Sequence, residues 1–182
     1  MASASAKTLE NLQAAFKGES NAHAKYLVYA QAAAAEGYHG VAKLFEAAAL
    51  AEKFHARNHA QVITQLGGTP KADIQTPAAK TTRENLADAL QGETYERDVM
   101  YPDFIKEAQA SKISAANRTF TFAIKAEAEH AKLYQAALDQ PEEWRDKRTF
   151  LVCDLCGYTV QVLAGTKCPV CSNPREKFVT VS

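Results

Sequence analysis

The feature that most limits what this chain can become is a repeat built from acidic and histidine residues. Lys17-Gly18-Glu19-Ser20 is matched by Gln91-Gly92-Glu93-Thr94 at an offset of 74. Ala51-Glu52-Lys53-Phe54-His55-Ala56 is matched by Ala126-Glu127-Ala128-Glu129-His130-Ala131 at an offset of 75. Each half therefore carries a lone Glu and, further along, a Glu-x-x-His. A fold that accepts this sequence has to accept the repeat twice and bring a reason for it.

Helical patterning supplies the frame. The apolar spacing predicts four long amphipathic helices: Thr8, as a cap, to Ala35; Val41 to Leu66; Thr82 to Ala110; and Ser114 to Leu138. Gly37 and Gly40 separate the first two, and Gly67-Gly68 stop the second. The segment from Gly68 to Thr81 contains Pro70 and Pro77 and no periodicity, so it is a loop. Ser111-Lys112-Ile113 is a turn. Four such helices with short or moderate connections predict a four-helix bundle over residues 1–140.

Residues three apart on a helix share a face, with Cβ atoms about 5–6 Å apart. Glu52 with His55, and Glu127 with His130, can each grip one metal ion. A single Glu-x-x-His is ordinary solvated surface, but here it occurs twice and among apolar neighbours: Leu44, Ala48 and Val62 in one half, Phe120, Ala123 and Tyr134 in the other. Carboxylates facing a core are strongly unfavourable without cations. One Glu from each of two helices plus Glu-x-x-His from each of the others is the pattern of di-iron or di-manganese bundles. Mixed carboxylate and imidazole donors suit iron or manganese.

The repeat breaks at Glu96, whose equivalent in the first half is Ala22. Four carboxylates neutralise two Fe(II) ions, and two Fe(III) ions carry two more charges, so an extra carboxylate one turn away could move in on oxidation. The plainer alternative is a solvated Glu96 paired with Arg97 or another neighbour.

All four cysteines fall within nineteen residues, as Cys153/Cys156 and Cys168/Cys171. In a reducing compartment two C-x-x-C pairs indicate a metal site rather than disulfides. Four thiolates make a tetrahedral site that fits Zn or Fe alike. Short β-favouring runs flank them: Phe150-Leu151-Val152, Val160-Gln161-Val162 and Phe178-Val179-Thr180. So small a unit, over residues 141–182, needs a metal staple for stability.

Composition excludes other classes. Lys+Arg and Asp+Glu both total 21, giving a net charge of zero, which argues against nucleic acid as a partner. The N-terminal MASASAKTLENL shows no basic region followed by an apolar stretch, and the run Ala30 to Ala35 is too short to span a bilayer, so we expect a cytoplasmic chain with no membrane partner.

With these residues in place, the chain resembles the rubrerythrins from Thr8 to Val179. The shared features are the helical order of the acidic and histidine residues, the additional Glu on the third helix, and the C-x-x-C-G-Y and C-P-x-C forms of a rubredoxin. The resemblance implies a ferritin-like four-helix bundle with a small C-terminal rubredoxin-like domain. It implies two Fe ions held by Glu19, Glu52, His55, Glu93, Glu96, Glu127 and His130. One of them would switch between His55 and Glu96. A further Fe would be held by Cys153, Cys156, Cys168 and Cys171, with Tyr158, Phe150 and Phe178 as a small aromatic core. Tyr26 and Tyr101 match tyrosines near the family's site, where their hydroxyls could bond ligand carboxylates; a Tyr on a helix stripe is also ordinary core. His23, His39 and His59 match no ligand position and are read as surface or supporting residues.

The activity implied is a peroxidase reducing hydrogen peroxide to water, in defence against oxidative stress. Its electrons would come from NAD(P)H through a separate redox protein or reductase and then through the cysteine-bound iron. The chain itself holds no G-x-G-x-x-G for the nucleotide. A homodimer is implied, with the cysteine domain of one chain near the di-iron site of the other, and the Gly68 to Thr81 loop is long enough for exchange of helix pairs. Two other readings stay open: a ferroxidase or oxygen-reducing di-iron protein, and a non-catalytic zinc-ribbon binding protein.

Overall fold

A computed structural model describes residues 2–75 and 77–182, with side chains from residue 6 onward. Helix α1 spans Ala2–Ala35 and α2 spans His39–Gln65. A long connection leads to α3, Thr82–Tyr95, which continues through a π-helical turn, Glu96–Met100, into α4, Tyr101–Ala110. Helix α5 spans Ser114–Asp139. α1 packs along α2, α3 and α4 pack along α5, and α2 faces α5 across the middle. This is the four-helix bundle expected, with the third helix divided.

Local chemistry explains the boundaries. Gly37, at φ +80°, takes the left-handed turn that ends α1. Thr81 caps α3 in a capping box: its hydroxyl accepts from the Glu84 N–H, and the Glu84 carboxylate accepts from the Thr81 N–H at 3.1 Å. Thr8 is not a cap. α1 begins before it, and Thr8 lies fully buried inside the helix, its hydroxyl donating to Ser111 Oγ at 3.1 Å. The apolar pattern starts at Thr8 because burial starts there, while the backbone helix runs on toward the N-terminus.

The π turn accounts for a discrepancy in the repeat. Leu12 and Leu86, Ala15 and Ala89, and Glu19 and Glu93 are related by an offset of 74, whereas Tyr26 and Tyr101 are related by 75. One residue has been inserted between Glu93 and Tyr101, and the π turn at Glu96–Met100 absorbs it. The insertion lets the helix recover its inward face on the far side.

Two apolar clusters fill the bundle. One gathers Tyr26, Phe45, Ala48, Leu86 and Tyr134. The other gathers Leu12, Ile63, Tyr101, Phe120 and Ala123. On every helix the acidic residues of the repeat fall between a member of one cluster and a member of the other. Apolar packing thus closes off both ends of a polar middle.

After α5, Pro141–Trp144 form a 3-10 turn, and a three-stranded antiparallel sheet follows, with its first strand in the middle. Its strands are β1 (Phe150–Cys153), β2 (Thr159–Val160) and β3 (Phe178–Val181), with Leu151 opposite Val160 on one side and Thr180 on the other. The resemblance implied that the cysteine domain would reach a partner's site; here it folds back onto its own bundle. Gly40 allows this, because a Cβ there would lie 2.6 Å from the Asp146 carbonyl and 2.8 Å from that of Trp144. The His39 N–H donates to the Arg145 carbonyl at 3.1 Å, and the Arg148 guanidinium lies 4.2 Å from the Trp144 ring. Phe150, expected in the aromatic core of the cysteine domain, instead stacks on Trp144 and joins the bundle core. Phe122 of α5 packs with Tyr158 and Phe178 against the cysteines. No helix among the described residues is long and apolar enough to cross a membrane.

Candidate metal centres

Helix spacing delivers the repeat's side chains to one point. Glu19, Glu52, Glu93, Glu127, His55 and His130 are all 0–1% exposed. They fall into two overlapping sets whose donor atoms lie within 4.8 Å of one another: Glu19, Glu52, His55 and Glu127, and Glu52, Glu93, Glu127 and His130. Glu52 and Glu127 belong to both, so either could serve both ions, whereas Glu19 and Glu93 each belong to one set. His55 Nδ1 lies 2.8 Å from Glu52 and 3.1 Å from Glu127, and His130 Nδ1 lies 3.0 Å from Glu127 and 3.3 Å from Glu52.

The electrostatics of this cluster require cations. Burial, then Glu127, pushes the Glu93 carboxyl up to about 8. Burial and then Glu96 raise Glu19 well above the carboxylate range. Burial opposes charge on His55, yet Glu127 and Glu52 together lift it to about 10. Protons on Glu19, Glu93 and His55 stand in for positive charge, while the two histidines hold Glu52 and Glu127 below the ordinary carboxylate value against burial. Glu19 Oε2, Glu52 Oε1, Glu93 Oε2, both oxygens of Glu127 and His130 Nδ1 are buried and make no hydrogen bond. Buried ligand atoms of this number, crowded together and without hydrogen bonds, fit two divalent ions.

A second layer fixes these groups, and it obeys the same two-fold repeat. The Tyr26 hydroxyl donates to Glu93 Oε1 at 2.6 Å, and the Tyr101 hydroxyl donates to Glu19 Oε1. Each tyrosine thus holds the lone Glu of the other half. The halves then diverge: His59 of α2 has Tyr134 as its counterpart. His59, fully buried and pushed down to about 3 by burial, bridges the Tyr101 hydroxyl at 3.1 Å and the Thr119 hydroxyl at 3.0 Å. It supports the site, whereas His23 bonds the Ala49 carbonyl at 2.6 Å.

Glu96 belongs to neither donor set. It sits in the π turn, half-buried, and lines a cavity of about 500 Å³ with Gly18, Ala22, Lys25, Tyr26 and Gly92. Its carboxyl is raised well above the ordinary value by burial and then by Glu127 and Glu93. The plainer alternative, a pairing with Arg97, is not what forms: that guanidinium binds Asp98 at 2.6 Å.

The cysteines converge as the spacing requires. The Cys153–Cys171 and Cys156–Cys168 sulfur pairs are each 3.5 Å apart, and all four sulfurs form one group. A metal bonded at about 2.3 Å to four sulfurs holds them about 3.8 Å apart, so little movement is needed. The Cys153 thiol is pulled down to about 5, first by its contact with Cys156 and then, against burial, by backbone N–H groups and Asn173.

The two centres touch. The His55 Nε2–H donates to the Cys156 carbonyl at 3.0 Å, and His130 Nε2 lies 3.1 Å from the Thr159 hydroxyl. The Asn58 amide donates to the Leu155 carbonyl at 2.7 Å. None of these contacts is visible from spacing alone, because they join residues 29 to 101 apart in sequence and cross from the bundle to the cysteine segment.

Comparison with known proteins agrees with this architecture. The family model described as Rubrerythrin matches residues 10–138. Nigerythrin of Nitratidesulfovibrio vulgaris is 42% identical over 175 residues, covering 94% of this chain and 85% of that protein. Rubrerythrin-2 of Clostridium acetobutylicum is 34% identical, covering 95% and 96%. The structure of nigerythrin in its fully reduced, all-ferrous state superposes with a TM-score of 0.88 at 39% identity, covering 95% of this chain and 86% of that one. A Desulfovibrio desulfuricans bacterioferritin, 22% identical with a TM-score of 0.72 over 79% of this chain and 85% of its own, shares the ferritin-like fold. A ferritin-like bundle carrying carboxylate and histidine candidates for a di-iron site, with a four-cysteine cluster for a further iron, places this chain in the rubrerythrin family, whose members are redox enzymes of oxidative stress defence.

Proposed function

We propose that this protein is a peroxidase that reduces hydrogen peroxide to water, with electrons entering at the cysteine-bound iron and reaching the di-iron site through His55. The carrying observation is the 3.0 Å hydrogen bond from His55 Nε2 to the Cys156 carbonyl. It joins a candidate ligand of one centre directly to a candidate ligand of the other. Iron held by Glu19, Glu52, His55, Glu93, Glu127, His130 and the four cysteines supplies the one-electron changes, and each peroxide takes two electrons and two protons to give two waters.

The chain's own residues provide the rest. The cavity beside Glu96 is the route for a two-oxygen substrate, since Gly18, Ala22 and Gly92 leave space where larger side chains would close it. Tyr26 and Tyr101 hold Glu93 and Glu19 in place while charge at the site changes. Glu96 is the reserve carboxylate, near enough to Glu127 and Glu93 to feel their charge. Apolar clusters on both sides keep water from the remaining faces.

The electron source is a separate redox protein or reductase linked to NAD(P)H. The assembly is a homodimer, for which the connection after α2 gives the length needed to exchange helix pairs. The compartment is the cytoplasm, where the thiols stay available for metal. We assign residues 1–140 to the di-iron unit and 141–182 to the linker and electron-transfer unit.

Replacing Cys153 with Ser tests the scheme. Turnover driven by an external electron donor should be lost, while the chemically reduced bundle should still consume peroxide in a single turnover. Equal loss of both activities would show that the cysteine unit serves folding alone.

A further inference from the structure

The cysteine segment does more than approach the bundle. His55 and His130 each present Nδ1 to the carboxylates and Nε2 to the segment Cys156–Thr159. A neutral imidazole carries one N–H, so whichever nitrogen donates outward leaves the other free to bind metal. For His55 the acceptor is a backbone carbonyl, which can only accept. For His130 the partner is a hydroxyl, which can do either, and hydrogen-bond counting settles which.

Thr159 is fully buried, and its single proton is engaged: the hydroxyl donates to the Gly157 carbonyl at 2.8 Å. What Thr159 Oγ1 offers His130 Nε2 at 3.1 Å is therefore a lone pair. The Nε2–H must donate to it, leaving the Nδ1 lone pair toward Glu52, Glu93 and Glu127. His130 Nδ1 is itself buried without a hydrogen bond, as a metal-facing nitrogen would be. We propose that Thr159 is a positioning residue for the di-iron site: its hydroxyl oxygen accepts the Nε2–H of His130 and so fixes the tautomer and ring orientation that turn Nδ1 to the metal.

One short segment of the electron-transfer unit thereby orients both histidines of the other centre. The iron beside His130 depends on a side-chain hydroxyl, whereas the iron beside His55 depends on backbone. A side-chain substitution can therefore weaken one site and spare the other.

This inference rests on the ligand assignment proposed above, and the experiment separates the two. Anaerobic Fe(II) binding to the full-length protein would be measured by chelator competition for the parent and for Thr159→Val, Thr159→Ser and His130→Ala. His130→Ala should lose one tight iron; if it keeps both, the assignment of His130 as a ligand fails. Thr159→Val should bind one of its two bundle irons about 10–100-fold more weakly, and Thr159→Ser should restore parental binding. In histidine-selective 15N spectra of Zn(II)-loaded protein, the His130 Nε2–H signal should persist in the parent and Thr159→Ser and shift or broaden in Thr159→Val. Parental binding of both irons by Thr159→Val, with His130→Ala defective, would overturn the proposal while leaving the ligand set intact. Equal weakening at both irons, or no rescue by Ser, would also overturn it, since packing of the segment would then be responsible.

Discussion

Gly157 lies so close to His55 that a Cβ on it would stand 2.3 Å from Nε2, and its backbone, at φ +73°, occupies the left-handed region. Both facts follow from the tight Cys153–Gly157 knuckle, in which the Gly157 N–H donates to the Cys153 carbonyl at 3.0 Å. Gly157→Ala should therefore push the knuckle away from His55 and break the hydrogen bond to Cys156. The left-handed backbone alone costs about 1–2 kcal/mol with a side chain. We predict slower oxidation of the cysteine-bound iron by peroxide, by more than tenfold, with unchanged far-ultraviolet circular dichroism. A variant that matches the parent in stopped flow would show that the contact carries no electrons.

The metal-free cluster is held together by protons, so loading should release them. Glu93, raised to about 8, and His55, raised to about 10, must both give up a proton before they can bind metal. Affinity for Fe(II) should thus rise with pH and fall as pH drops, by about tenfold per unit for each proton displaced. Anaerobic titrations between about pH 6 and 8 would check this, and calorimetry in buffers of different ionisation enthalpy would count the protons. Affinity independent of pH would contradict this charge balance.

The two tyrosines should not be equivalent despite their symmetric placement. Tyr26→Phe removes a hydroxyl from Glu93, and a hydrogen bond to a charged group is worth about 1.5–3 kcal/mol. Tyr101→Phe removes the corresponding bond to Glu19 and also leaves buried His59 without a partner at Nε2. Thermal unfolding of the iron-loaded variants should show the larger loss for Tyr101→Phe. Equal losses would mean that the His59 contact adds nothing.

Glu96→Ala should separate binding from turnover. Glu96 stands outside both donor sets, so the Fe(II)-loaded site should form nearly as in the parent. The oxidised site gains charge and has lost its reserve carboxylate, so peroxide turnover should fall at least about tenfold, equivalent to about 1.4 kcal/mol on the barrier. Bound iron and stopped-flow peroxide consumption would be measured together. Parental turnover would reduce Glu96 to a lining residue of the cavity.

Much of this architecture is legible in the sequence, because it depends on periodicity. Four helices, the repeated Glu and Glu-x-x-His, and two cysteine pairs all announce themselves through local spacing. The misreadings have local causes as well. Thr8 marks the onset of burial rather than of the helix, and Phe150 is apolar enough for either of two cores. The insertion at Glu96 showed only as a change of offset from 74 to 75, which spacing could register but not place in a π turn. The sharing of Glu52 and Glu127 between two donor sets, the place of His59, and the grip of Thr159 on His130 are relationships across helices and strands. No one-dimensional period encodes them.

In the proposed scheme, peroxide reduced at the bundle draws its electrons through the cysteine-bound iron. Fully iron-loaded protein, reduced anaerobically, would be mixed in stopped flow with hydrogen peroxide or with dissolved oxygen at equal concentration. The visible absorption of the ferric tetrathiolate would report arrival of oxidising equivalents at the cysteine site. Peroxide should restore this absorption at least about tenfold faster than oxygen does, and Cys153→Ser should abolish it without stopping peroxide loss in a single turnover. Faster recovery with oxygen, or peroxide consumption that leaves the cysteine-bound iron reduced, would contradict this scheme.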